Sequence, residues 1–169
     1  MNLVPNAPTW LLAILFAALA AAAIEDFIRL RISNITCAVV FVSAITAMVL
    51  QGFSIDLWQN LVVFLVLLTA GTLLFAADKI GGGDVKLLAA LGLWVDIGTG
   101  VWLLVTSLIA GGIVALIYIV ARQFRGGKKS KGIPYALAIV SGAGLVLGGQ
   151  AGWMTSKPPQ PYVLKVPAR

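Results

Sequence analysis

The chain has 169 residues, 60% of them hydrophobic and 11% charged, with a net charge of +6; its mean hydropathy is +1.02. A soluble domain carries about 25% charged residues, so this composition excludes a water-soluble globule and indicates an all-α, polytopic membrane bundle. There is no histidine, which removes Ser-His-Asp triads, Cys-His pairs, H-E-x-x-H zinc sites and histidine-ligated haem.

A spanning helix takes roughly 20 apolar residues, and the pattern predicts about six of them. Trp10 to Phe27 is the first. The small residues at Ala21 to Ala23 imitate a signal-peptide cleavage site, but no positive region precedes the span and more spans follow, so it reads as a retained helix. Ile35 to Leu50 is the second and Leu57 to Ala77 the third. Val85 to Val120 is too long for one helix. The stretch Asp96-Ile97-Gly98-Thr99-Gly100 predicts a turn that divides it into a short fourth helix, Asp84 to Val95, and a long fifth, Val101 to Val120. Ile133 to Gly149 is the sixth, and Gly144-x-x-x-Gly148 within it is expected to pack against another helix. Residues 1–150 thus form one transmembrane unit, followed by a Pro-rich tail over 151–169.

Basic residues orient the bundle. Arg29, Arg31, Lys79, Lys86, Arg122, Arg125, Lys128, Lys129 and Lys131 fall on one side of the membrane, and only Lys157, Lys165 and Arg169 on the other. The positive-inside rule places the larger group in the cytoplasm and both termini outside. These cations sit at helix ends without interleaved aromatics, so no nucleic-acid partner is expected; the lipid bilayer is the expected surroundings. The single cysteine, Cys37, lies in an apolar helix and reads as packing.

Without histidine, chemistry falls to the six carboxylates: Glu25, Asp26, Asp56, Asp78, Asp84 and Asp96. The topology places Asp56 and Asp96 on the outer face, about 30 Å from the others. Gly81-Gly82-Gly83-Asp84 opens the fourth helix, where Asp84 suits an N-cap position. That helix, at about 18 Å, is too short to cross the hydrocarbon, so one of its ends is recessed. Three glycines also allow irregular backbone to approach a neighbour closely, and at membrane depth such backbone needs protein or a cavity around it. An ionisable residue there is a functional candidate. Asp26 ends the Ala-rich first helix, where pairing with Arg29 or Arg31 is the plain alternative; Glu25 beside it is equally placed by periodicity. Two adjacent carboxylates share one proton, and such a pair can activate water and polarise a peptide carbonyl with no metal or cofactor.

These residues resemble the prepilin peptidases (type IV leader peptidases), membrane aspartic proteases of the G-x-G-D type. The run from Gly81 to Trp94 resembles their signature. Asp26 with Ile32-Ser33-Asn34 resembles the first aspartate and its downstream I-P-N element, with Ser33 in place of proline. Ile133-Pro134-Tyr135, Ala138-Ile139 and Gly142 resemble the motif of the last helix, with Ala136 in place of a glycine. The resemblance spans roughly residues 20 to 145. It implies Asp26 and Asp84 as the catalytic pair, choosing Asp26 over Glu25, with Gly81, Gly82, Gly83, Asn34 and Lys86 as supporting motif residues.

The resemblance further implies a prepilin or pseudopilin precursor as substrate, with a basic leader and an apolar helix behind it, cut at the cytoplasmic face of the bacterial inner membrane. Longer members of the family carry a cysteine zinc domain after the first helix and methylate the new N-terminus. Here that loop is short, Ile28 to Asn34, without C-x-x-C. The chain therefore resembles the short, peptidase-only branch of tight-adherence (Flp) pilus systems, and no methyltransferase activity is expected. The rival readings are a small ion-coupled transporter or channel subunit using the same carboxylates, and a non-catalytic scaffold. Taken alone, Lys86 is expected to face away from Asp84 and anchor at headgroups, Asn34 to N-cap the second helix, and Asp78 to lie in a solvated loop as a reserve carboxylate.

Overall fold

The structure is a computed structural model and describes residues 1–52, 54–78, 80–124 and 135–151. After a short 3₁₀ turn at Val4–Asn6 come six helices: α1 (Thr9–Arg29), α2 (Asn34–Gln51), α3 (Leu57–Ala76), α4 (Gly82–Gly92), α5 (Ile97–Phe124) and α6 (Tyr135–Gln150). No strand occurs among the described residues. Lys79, most of the basic cluster after α5, the Ile133-Pro134 pair and the tail from Gly152 onward lie outside them.

α1, α2, α3 and the first 21 residues of α5 are long and apolar enough to cross a membrane. Their outer faces carry large apolar side chains, among them Phe27, Val42, Leu65, Leu73, Trp102, Leu108 and Leu116, all exposed. In water such a surface would aggregate; in hydrocarbon it is the expected exterior. The chain is a multi-pass helical membrane bundle.

α4 is the exception. Its 11 residues rise only about 16 Å. It sits in the middle, packed on α2, α3 and α6, and Val85, Leu87, Ala89, Ala90 and Leu91 are all buried. Its final carbonyls therefore end among protein rather than in water, where orphan acceptors are costly. Asn60, fully buried on α3, donates from Nδ2 to the Leu93 carbonyl at 2.8 Å. The Leu3 N–H donates to the Trp94 carbonyl at 3.0 Å, and the Trp94 indole donates to the Val40 carbonyl at 3.4 Å. Leu3, Val4 and Trp94 are fully buried, so the N-terminal segment roofs the end of α4.

Two expectations change here. The predicted turn at 96–100 lies earlier: α4 ends at Gly92, and α5 already begins at Ile97. Gly98 and Gly100 belong to the first turn of α5, and a Cβ at Gly100 would stand 2.9 Å from Val63 Cγ1. That glycine serves a close helix approach rather than a bend. Gly144 and Gly148 also differ from expectation. A Cβ at either would meet nothing within 4 Å, and the tight contact of α6 is instead at Gly142, against the Ser107 backbone.

Candidate active site

The end of α1 and the start of α2 are joined by a four-residue turn. Leu30 takes a left-handed conformation (φ 53) and its N–H closes on the Asp26 carbonyl, the usual way to end a helix sharply, though glycine is the commoner residue there. Ser33, not Asn34, is the N-cap of α2; its Oγ accepts from the Ile35 N–H at 3.1 Å. Serine suits a cap because its hydroxyl reaches a free amide, a service that proline at this position would lack. Glu25 secures the same turn, its Oε2 accepting from the Ser33 N–H at 2.8 Å and the Thr36 hydroxyl at 3.0 Å.

Asp26 points the other way and is 5% exposed. Its Oδ2 accepts from the Ala136 N–H at 2.8 Å, and the Leu137 N–H faces the same carboxylate. Both amides belong to the first turn of α6, where free N–H groups and the helix dipole favour an anion. The departure at Ala136 leaves this contact open, since the backbone makes it. Among the described residues Asp26 forms no ion pair with Arg29 or Arg31, both exposed.

Asp84 is not the N-cap of α4. Gly81 holds that place, and Asp84 lies in the first turn, with its carboxylate folded back over Gly81: a Cβ there would be 2.9 Å from Asp84 Oδ2. This is the reciprocal half of a capping box, in which the third helical residue reaches back to the cap. A Cβ on Gly83 would be 3.0 Å from Ile32 Cβ and 3.3 Å from the Ile32 carbonyl oxygen. One on Gly82 would be 3.3 Å from the Phe75 ring. Gly82 and Gly83 thus let the first turn of α4 lie against α3 and the α1–α2 turn, while Gly81 leaves room for the Asp84 carboxylate. Asp84 is 8% exposed, and Asp26 is close enough to act on it electrostatically. Two buried carboxylates, each at the N-terminal turn of a helix or facing one, lie within electrostatic range of each other.

Lys86 is exposed on the next turn and donates to Asn34 Oδ1 at 2.9 Å. It ties α4 to α2 rather than standing free as a headgroup anchor, and Asn34 receives it instead of capping. Cys37 is buried, with Sγ 3.6 Å from the Gly83 carbonyl. Asp78 is exposed in the turn after α3. Asp56 and Asp96 lie at the other end of the bundle, beside Met1 and Thr99 respectively. Among the described residues no three His, Cys, Asp or Glu side chains gather as a metal site. Sequence reasoning missed Ser107, a buried hydroxyl in the same cavity as Asp84, and it missed the α6 amides; a lone serine in an apolar run carries no signal, and backbone amides have none.

No curated protein and no solved structure matches the chain. A family model does, that of the type IV leader peptidase family, over residues 13–119, a stretch that runs from within α1 to within α5 and holds both buried carboxylates. The chain belongs to the type IV leader peptidase family.

Proposed function

We propose that this peptidase is an aspartic endopeptidase that removes the basic leader from prepilin-like precursors at the cytoplasmic face of the bacterial inner membrane. The observation that supports the reading is that Asp26 and Asp84 are both buried and within electrostatic reach of each other. Like charges that act on each other in a buried site favour a state with one proton between them. The ionised member takes a proton from water as the water attacks the scissile carbonyl, while the protonated member donates to the carbonyl oxygen. The tetrahedral intermediate then collapses as a proton passes to the leaving amine nitrogen. The two groups titrate as a pair, so acid and base are properties of the dyad. Gly81, Gly82 and Gly83 seat Asp84, and the Lys86–Asn34 bond holds α4 to α2 beside it. Residues 1–150 act as one peptidase unit, and the short α1–α2 turn fits a peptidase-only enzyme of the Flp type without methyltransferase activity.

The test is mass spectrometry of a precursor incubated with purified protein. Wild type should give a single cut between the basic leader and the apolar helix, leaving an unmethylated N-terminus. Asp26→Asn and Asp84→Asn keep the shape and the acceptor oxygen but not the charge, and each should slow cleavage by at least about 10³-fold. Full processing by either variant would refute the dyad; ion flux without cleavage would favour a transporter.

A further inference from the structure

The turn between α1 and α2 is closed twice. The Leu30 N–H donates to the Asp26 carbonyl at 2.8 Å. Glu25 Oε2 accepts from the Ser33 N–H at 2.8 Å and from the Thr36 hydroxyl at 3.0 Å. The first closure holds Leu30 in the left-handed region (φ 53), which is costly for a residue with a Cβ. Backbone in such a conformation persists only where its surroundings hold it. Glu25 supplies that hold, since one carboxylate oxygen reaches from the end of α1 to both the N-cap and the first turn of α2.

Ile32 sits between the two closures, and it is where α4 rests. A Cβ on Gly83 would stand 3.0 Å from Ile32 Cβ, 3.3 Å from its carbonyl oxygen and 3.4 Å from its nitrogen. Lys86 adds a bond from α4 to Asn34, the first residue of α2. The start of α4 is therefore fastened to the start of α2, and the start of α2 is fastened to α1 through Glu25. Asp26 follows Glu25 in the chain and Asp84 follows Gly83, so the two buried carboxylates stand at the ends of this path. Resting on the leader-peptidase reading, we propose that Glu25 is a positioning residue: by binding Ser33 and Thr36 it seats the α1–α2 turn against Gly83 and so sets the separation of Asp26 and Asp84. It acts through its acceptor oxygen and touches no substrate.

The experiment uses the full chain in phospholipid vesicles with a purified precursor. Glu25→Ala should lower kcat about 10²-fold and change KM less than about twofold, because a misplaced catalytic group loses rate rather than ground-state binding. Thr36→Val keeps the shape, removes one of the two donors, and should lower kcat about fivefold. Glu25→Gln keeps an acceptor at the same reach without the charge and should recover most of the rate. A carboxylate that drew the basic leader by its charge would instead give Glu25→Gln the loss seen in Glu25→Ala, expressed in KM. That result, or an unchanged kcat in Glu25→Ala, would overturn the inference. A second measurement needs no substrate. With Cys37→Ala as background, Ile32→Cys paired with Gly83→Cys puts two thiols within bonding reach. Their oxidation to a disulfide should be about tenfold slower when Glu25→Ala is added, and equal rates would also overturn the inference. If wild type cuts no precursor, the leader-peptidase reading falls on its own, and the disulfide rates still decide what Glu25 holds in place.

Discussion

Glu25 and Asp26 are chain neighbours, separated by roughly 100° of helix rotation, and that angle decides their use. Glu25 accepts two bonds that fasten α2, whereas Asp26 turns inward to the α6 amides. Asp96 has a third fate, at the far end. Burial alone would raise its pKa, but the Thr99 N–H and hydroxyl and the N-terminal ammonium outweigh that and hold it below the usual carboxylate value. A depressed folded pKa means that the ionised form is bound more favourably in the fold. The stability it contributes is present above the unfolded pKa and lost as pH falls through the folded one. Asp96→Asn should therefore destabilise the detergent-solubilised protein at neutral pH, and the gap to wild type should close in acid. Thermal unfolding across pH 7 to about 3 checks this; a gap that widens in acid contradicts it. In the sequence, the carboxylates were legible as a short roster, and the motif resemblance singled out two. What was not legible was capping, which slipped by one residue at Ser33, and the Lys86–Asn34 bond, which exists only because α4 lies beside α2.

At the scale of elements, apolar runs locate all six helices, because a bilayer demands unbroken hydrophobicity and a break is easily seen. Glycine is where that reading falters. It marks turns, but it also marks close helix contacts, and spacing does not separate the two. By spacing Gly100 reads as a turn, yet it is a contact; Gly144 and Gly148 read as a contact, yet a Cβ at either meets open space. Gly142 is the glycine that α6 needs, since a Cβ there would come within 2.7 Å of the Ser107 nitrogen and 2.8 Å of its Cα. Backbone cannot swing aside as a side-chain tip can. Gly142→Ala should thus force α5 and α6 apart and cost about 1–3 kcal/mol. Gly144→Ala, unopposed, should be neutral or stabilising by up to about 1 kcal/mol through helix propensity. Unfolding of both variants in the same detergent compares them directly, and equal stabilities would show that the α5–α6 contact yields.

For the whole molecule, the central short helix sets the architecture. Because α4 cannot cross the bilayer, its two ends have different neighbours: Asp84 and Asp26 at one, the Asn60, Leu3 and Trp94 bonds at the other. The first end can meet a leader only if it faces the cytoplasm, since a basic leader is held on that side by the same rule that orients the protein. The orientation is testable without any substrate. With Cys37→Ala as background, Asn6→Cys and Asp78→Cys each place one thiol at an exposed position on opposite ends of the bundle. An impermeant maleimide should label the thiol of Asn6→Cys on intact spheroplasts and that of Asp78→Cys only after the membrane is opened. The reverse pattern would put the carboxylate pair on the outer face, out of reach of an uncleaved leader, and the proposed reaction would have no substrate there.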